Sequence, residues 1–264
     1  MRKTARFKKQ DIYFTEEGKG RVVVLLHGFL GSAAIWKDTI RNLSTSYRVI
    51  AIDLPGHGET ASIGYAHSME LMAKSVKAVL DELRLKRYVM VGHSMGGYVA
   101  LAFADLFPDS LRGLCLFHST ALPDNEEKKR DRERAIHLVK ASKTVYTKNT
   151  IRNLFAQKNL KYLKEEIAFA TGIAKQTSRG GIIAALYGMK DRPSREIILA
   201  MVEYPIMMVI GKHDQVLGYE QLLEQSEIIK YKTVLFLEHD GHFGFLESPK
   251  VSQKALRSFL RKCF

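Results

Sequence analysis

Three observations predict an α/β protein built on a mostly parallel sheet. Short β-branched runs bounded by turn residues recur along the chain, the pattern of strands buried on both faces. Each is followed by a glycine-bearing turn and then by apolar residues at helical spacing, which is how βαβ units read. The length of 264 residues allows one or two domains and a sizeable core. Taken in order, the first strand covers 22–26 and leads to a helix over 33–43. The second covers 49–52 and leads, after a longer loop, to a helix over 69–83 with apolar residues at 69, 72, 76, 79, 80 and 83. The third, 89–91, runs into a helix over 96–107, and a fourth covers 114–117. Two late pairs follow, a strand over 206–210 with a helix over 219–229, and a strand over 234–237 with a helix over 251–260. Ser248 is expected to cap that last helix, with Pro249 in its first position. Between 117 and 206 there is helix spacing only, broken at Gly172, Gly180-Gly181 and Pro193, so an all-helical insertion is expected.

Composition narrows the function classes. Apolar residues make up 46% and charged residues 26%, which sets aside disordered, collagen-like and disulfide-scaffold chains. No apolar run is long enough to cross a bilayer. The start, MRKTARFKKQDIYF, is basic but lacks the apolar stretch of a signal peptide. Two cysteines, Cys115 and Cys263, form neither a disulfide framework nor a metal spacing. A soluble protein of a reducing compartment, the cytoplasm, is therefore expected. The net charge of +13 is uneven: residues 1–10 hold five bases and no acids, and 120–200 hold 17 bases against 9 acids. With no groove-reading or base-stacking motif in the chain, this excess predicts a solvated face rather than nucleic-acid or membrane binding.

The chemistry gathers around Gly92-His93-Ser94-Met95-Gly96, which follows one strand and opens a helix. That is the context of a nucleophile elbow, in which a serine sits in a strained turn and small residues on either side let strand and helix approach. Other motifs accompany it: His27-Gly28-Phe29, Asp53-Leu54-Pro55-Gly56-His57-Gly58, Gly211-Lys212-His213-Asp214, and Gly241-His242 followed by Glu247-Ser248-Pro249. Together they resemble the α/β-hydrolase fold superfamily, in its branch of small, capped, single-domain serine hydrolases. The resemblance covers 20–119 and 201–264. It implies an eight-stranded-type, mostly parallel sheet flanked by helices, with the cap between strands six and seven. The core is then 1–119 with 201–264, and the cap is 120–200.

A serine nucleophile needs a base, and the base an orienting acid. The family's order of serine, acid and histidine implies Asp214 as the acid and His242 as the base of Ser94. His213 and His239 compete for the base, and Glu238 and Asp240 for the acid, each from a less suitable position. The oxyanion would take backbone N–H groups of Met95, at the helix start, and Phe29. Possible pocket residues are His27, Trp36, His118 and Phe243, with Phe29, Met95 and Phe245 as further candidates for an acyl pocket. Gly56-His57-Gly58-Glu59-Thr60-Ala61 imitates a dinucleotide fingerprint, but Pro55 and the missing helix remove the context it requires. His239 and His242 lack further ligands for zinc. No cofactor and no metal are expected.

The implied activity is hydrolysis of an ester, thioester or lactone through an acyl-enzyme, on a small acyl substrate that the basic cap suits to an anion. Serine at position 94 disfavours the aspartate-dependent epoxide hydrolases and haloalkane dehalogenases. A carbon–carbon bond hydrolase with the same triad and a slow-turnover ligand sensor on the same fold stay open. The sequence also leaves substrate identity and oligomeric state open.

Overall fold

The computed structural model describes residues 2–264. Its first elements place the basic N-terminus, where no strand was expected, in the sheet. β1 (Arg2–Phe7) and β2 (Gln10–Glu17) form an antiparallel hairpin at one sheet edge. Ala5, Ile12 and Phe14 are buried between exposed or half-buried neighbours, the period-two pattern of an edge. Three of the five bases are tied down: Arg2 pairs with Asp53 and Glu59, Lys3 with Glu16, and Arg6 with Asp11. So few apolar residues among five bases left the alternation too weak to read.

β3 (Val22–Leu26), β4 (Arg48–Ile52), β5 (Tyr88–His93), β6 (Leu111–Phe117), β7 (Ile206–Gly211) and β8 (Lys232–Leu237) complete the sheet. The strand order is β1-β2-β4-β3-β5-β6-β7-β8. Pairings from β4 through β8 are parallel, while β2 joins β4 antiparallel. The expected eight-stranded, mostly parallel sheet is thus present. β3 and β5 are buried along their whole length because helices cover both faces.

The helix expected over 33–43 divides into a 3-10 turn, Ala33–Trp36, and α1 (Lys37–Leu43). α2 (Met69–Glu82) is capped by Ser68, whose Oγ accepts from the Leu71 N–H at 3.1 Å, and buries Met69, Met72, Ala73, Val76, Val79 and Leu80. α3 (Met95–Leu106) is buried on nearly every side, as its continuous apolar sequence requires. Between β6 and β7 come α4 (Glu126–Ala141), α5 (Lys143–Asn153), α6 (Lys164–Gln176), α7 (Arg179–Lys190) and α8 (Glu196–Met201). α9 (Tyr219–Glu227) follows β7, and α10 (Gly244–Glu247) precedes α11 (Pro249–Cys263). Pro249 opens α11 as expected, but Ser248 makes no cap bond; its Oγ donates to Asp240 Oδ1 at 2.9 Å. Among the described residues no helix is long and apolar enough to cross a membrane.

Candidate active site

Ser94 is the one residue between β5 and α3, with φ 50° and ψ −118°. A non-glycine residue held there costs about 1–3 kcal/mol and persists only where its surroundings over-determine it. Three hydrogen bonds do so. Its N–H donates to Phe117 O at 3.0 Å, and its carbonyl accepts from the Gly97 N–H at 2.8 Å and from Ser119 Oγ at 2.8 Å. The flanking glycines are sterically required: a Cβ on Gly92 would strike Gly96 and Gly97, and one on Gly96 would strike the carbonyls of Leu26 and His27. The loop after β3 presses on the turn, since a Cβ on Gly28 would meet His93 Nδ1 at 2.6 Å and Ser94 Cβ at 3.1 Å.

Asp214 and His242 come together from the loops after β7 and β8. His242 Nδ1 lies 2.7 Å from Asp214 Oδ2, and Asp214 Oδ1 accepts from the N–H groups of Val216 (2.8 Å) and Leu217 (3.1 Å). Burial pushes the Asp214 carboxyl up, but the charge and hydrogen bond of His242, helped by His118, outweigh this and leave it below the usual carboxylate range. The rivals point elsewhere. His213 and His239 are exposed, and both rings contact Lys158 Nζ, at 2.9 and 3.2 Å. Glu238 pairs with Lys212 at the surface, and Asp240 accepts from Ser248.

Sequence reasoning missed the residue that secures this loop. Glu247 Oε1 accepts from the Gly241 N–H at 2.9 Å, and its Oε2 accepts from the Ala156 N–H at 3.1 Å and from Asn159 Nδ2 at 2.9 Å. The His242 N–H itself donates to Leu154 O at 2.7 Å, and His93 Nε2 donates to His242 O at 2.9 Å. One carboxylate therefore joins the histidine loop to the helical insertion. Glu247 was visible only as part of the Glu-Ser-Pro motif, with nothing local to show its partners.

Ser94 and His242 open onto one chamber of about 110 Å³, which Phe29 also lines. Its other walls come from Tyr98 of α3, Arg132 of α4, Tyr146 and Thr150 of α5, Met189 of α7, and Leu154 and Val216. An adjoining cavity of about 480 Å³ shares most of that lining and adds Lys128. The four residues named as possible pocket walls lie behind it instead. His27 is fully buried and accepts from the Leu54 N–H at 3.0 Å. Trp36 packs on Phe245 with ring centroids 4.4 Å apart, and Phe243 stacks on His93 at 5.2 Å. His118 is fully buried, with Nε2 accepting from the Gly244 N–H at 3.1 Å and Nδ1 3.7 Å from Asp214 Oδ2. These four side chains serve the packing beneath the elbow, whereas the insertion supplies Arg132, Tyr146, Thr150, Leu154 and Met189 to the chamber wall. Tyr146 and Thr150 stand at helical i, i+4 spacing, a signal for a shared face but not for what that face meets.

His118, Asp214 and His242 also place one ligand-type atom each within 4.8 Å of one another. The 2.7 Å approach of His242 to Asp214 is a hydrogen bond, and His118 Nε2 is occupied by backbone, so these groups serve each other as they stand.

A sequence profile for the alpha/beta hydrolase fold matches residues 21–249. Among curated relatives, the chain is 28% identical over 254 residues to a dihydrolipoyllysine-residue acetyltransferase component of an acetoin cleaving system from Pseudomonas putida; the match covers 92% of this chain and 64% of that one. It is 26% identical over 264 residues to 2-hydroxy-6-oxo-6-(2'-aminophenyl)hexa-2,4-dienoic acid hydrolase from Metapseudomonas resinovorans, covering 94% of this chain and 87% of the relative. A solved thermophilic esterase from Thermogutta terrifontis superposes with a TM-score of 0.93 at 29% identity, covering 100% of this chain and 99% of the esterase. An enol-lactonase from Burkholderia xenovorans LB400 shares the fold at a TM-score of 0.90 and 18% identity, covering 98% of this chain and all of that one. By its profile match over most of its length, the chain belongs to the α/β-hydrolase fold family.

Proposed function

We propose that this protein is a serine hydrolase that cleaves an ester, thioester or lactone through an acyl-enzyme. The observation that carries the reading is the 2.7 Å contact of His242 with Asp214 beside a chamber that His242 shares with a strained Ser94. Ser94 Oγ attacks the acyl carbon while its proton passes to His242 Nε2. Asp214 holds the Nδ1–H tautomer and stabilises the imidazolium. The oxyanion is held by the N–H of Met95, one of the helix-start donors without an intrahelical acceptor, and by that of Phe29. Collapse expels the alcohol or thiol, which takes the proton from His242. Water then attacks the acyl-enzyme by the same route, releasing the acid and restoring Ser94.

The helices over 120–200 act as a cap on a core of 1–119 and 201–264, with both parts lining the chamber. The two cysteines are free and buried, in keeping with a cytoplasmic setting. Similarity to the Metapseudomonas resinovorans hydrolase favours a second reading, cleavage of a carbon–carbon bond by the same triad. A fluorophosphonate probe should label Ser94 stoichiometrically. Ser94→Ala and His242→Ala should each lose about as much activity as the double variant, because such groups act as a unit. Additive losses, or labelling of another serine, would sink the assignment. A panel of p-nitrophenyl esters, thioesters, lactones and a vinylogous 1,5-diketone separates the two readings.

A further inference from the structure

The chamber wall carries more positive charge than its carboxylates neutralise. Arg132 on α4 lines both the 110 Å³ chamber, with Ser94 and His242, and the adjoining 480 Å³ cavity. Lys128, one turn earlier on the same face, lines the larger cavity. One acid serves the cluster: fully buried Asp124 accepts Arg132 Nε at 2.9 Å on Oδ2 and Arg192 Nη1 at 2.7 Å on Oδ1. Arg192 is otherwise committed, with Nη1 on Met189 O, Nη2 on Leu122 O, and the guanidinium 3.9 Å over the Tyr98 ring. The one acid that lines these cavities, Asp131, pairs with Arg134, and the buried Asp214 nearby is engaged with His242.

Arg132 differs from Arg192. Its hydrogen bond to Asp124 uses Nε alone, and the side chain keeps 20% of its exposure while lining the two cavities. The edge carrying its two terminal nitrogens is the edge that fits a carboxylate in a two-bond fork. One carboxylate shared between two guanidinium groups also leaves a cation over, and a charge in such walls is stable only when paired.

We propose that Arg132, with Lys128 at the outer side, receives a carboxylate carried by the substrate's acyl chain, so that the preferred substrates are half-esters or half-thioesters of short dicarboxylic acids. The proposal rests on the serine hydrolase reading and names the substrate class of the same site. Arg132 and Ser94 line the same chamber of about 110 Å³, so the carboxylate stands a few carbons from the scissile carbonyl.

The test compares p-nitrophenyl hydrogen glutarate with p-nitrophenyl pentanoate, which share a leaving group and nearly a length but differ in charge. The wild type should prefer the anionic ester in kcat/KM by about tenfold or more, the effect of one charge-assisted hydrogen bond. That ratio should fall by a similar factor in Arg132→Gln, mostly through KM, and recover in part in Arg132→Lys. Glutarate should inhibit the wild type at least tenfold more tightly than pentanoate, a measurement that needs no variant. A wild-type ratio near one, equal inhibition by the two acids, or an unchanged ratio in a folded Arg132→Gln would overturn the proposal. If neither ester shows Ser94-dependent hydrolysis, the hydrolase reading fails instead. Calorimetric titration of glutarate then decides the subsite alone: binding lost in Arg132→Gln upholds it, and no binding to the wild type rejects it.

Discussion

Acidification from pH 7.5 to 5.5 is expected to remove much of this protein's stability, through histidines that are buried in the neutral form. His27, His57, His67, His93 and His118 are all inaccessible to solvent or nearly so. In three of them Nε2 accepts a backbone N–H: His27 from Leu54 (3.0 Å), His67 from Ile63 (2.9 Å) and His118 from Gly244 (3.1 Å). Protonation would turn each acceptor into a donor facing a donor. Burial is the main cause that lowers their pKa values, to about 4 for His27 and His67 and about 3 for His118. Burial likewise takes His57 to about 3 and holds His93 well below the ordinary range. A folded pKa below the unfolded one means the unfolded chain binds protons that the native state refuses. The stability these groups contribute is therefore present above about pH 6.5 and is lost as pH falls toward 4. One unit below the unfolded value each withdraws about 1.4 kcal/mol, so the three acceptors alone remove about 4 kcal/mol at pH 5.5. Against a typical total of about 5–15 kcal/mol this is a large fraction. Urea unfolding followed by circular dichroism at pH 7.5, 6.5 and 5.5 reads it directly. Unfolding free energies equal within error from pH 7.5 to 5.5 would refute the reasoning.

Three further outcomes are expected. Asp214→Asn should leave the melting profile near that of the wild type while kcat falls on the order of 10³- to 10⁴-fold, the effect of a wrong imidazole tautomer; full activity would move the acid elsewhere. Glu247→Ala strips the Gly241 and Ala156 N–H groups and Asn159 of their shared acceptor, so a loss of about 2–4 kcal/mol in urea unfolding is expected together with a lower kcat. Unchanged values of both would show that the loop of His242 is held by other contacts. Gly96→Ala places a methyl against the Leu26 and His27 carbonyls, and a melting temperature several degrees lower is expected; a wild-type melt would mean the elbow has slack.

The elbow was legible because its constraint is local. Gly92, Ser94 and Gly96 lie within five residues, and the collision of a strand with the helix after it is written into that spacing alone. The loops holding Asp214 and His242 were legible for a related reason, since each follows a buried strand whose apolar run marks where it ends. The β1–β2 hairpin was not, because Ala5, Ile12 and Phe14 alternate too sparsely among charges to signal an edge. Nor was the role of Ser248, whose hydroxyl found Asp240 eight residues back rather than its own helix.

The order of strands and helices, the place of the strained serine and the segment of excess positive charge are thus properties of the amino-acid sequence itself, because each depends on neighbours within a turn or a strand. The chamber wall, the Glu247 clasp and the shared carboxylate of Asp124 were decided only in three dimensions. Arg132 and Arg192 lie 60 residues apart, and Glu247 and Ala156 91. Periodicity can show that a helix has an inward face, but which partner that face meets depends on how α4, α5 and α7 dock over the ends of the strands.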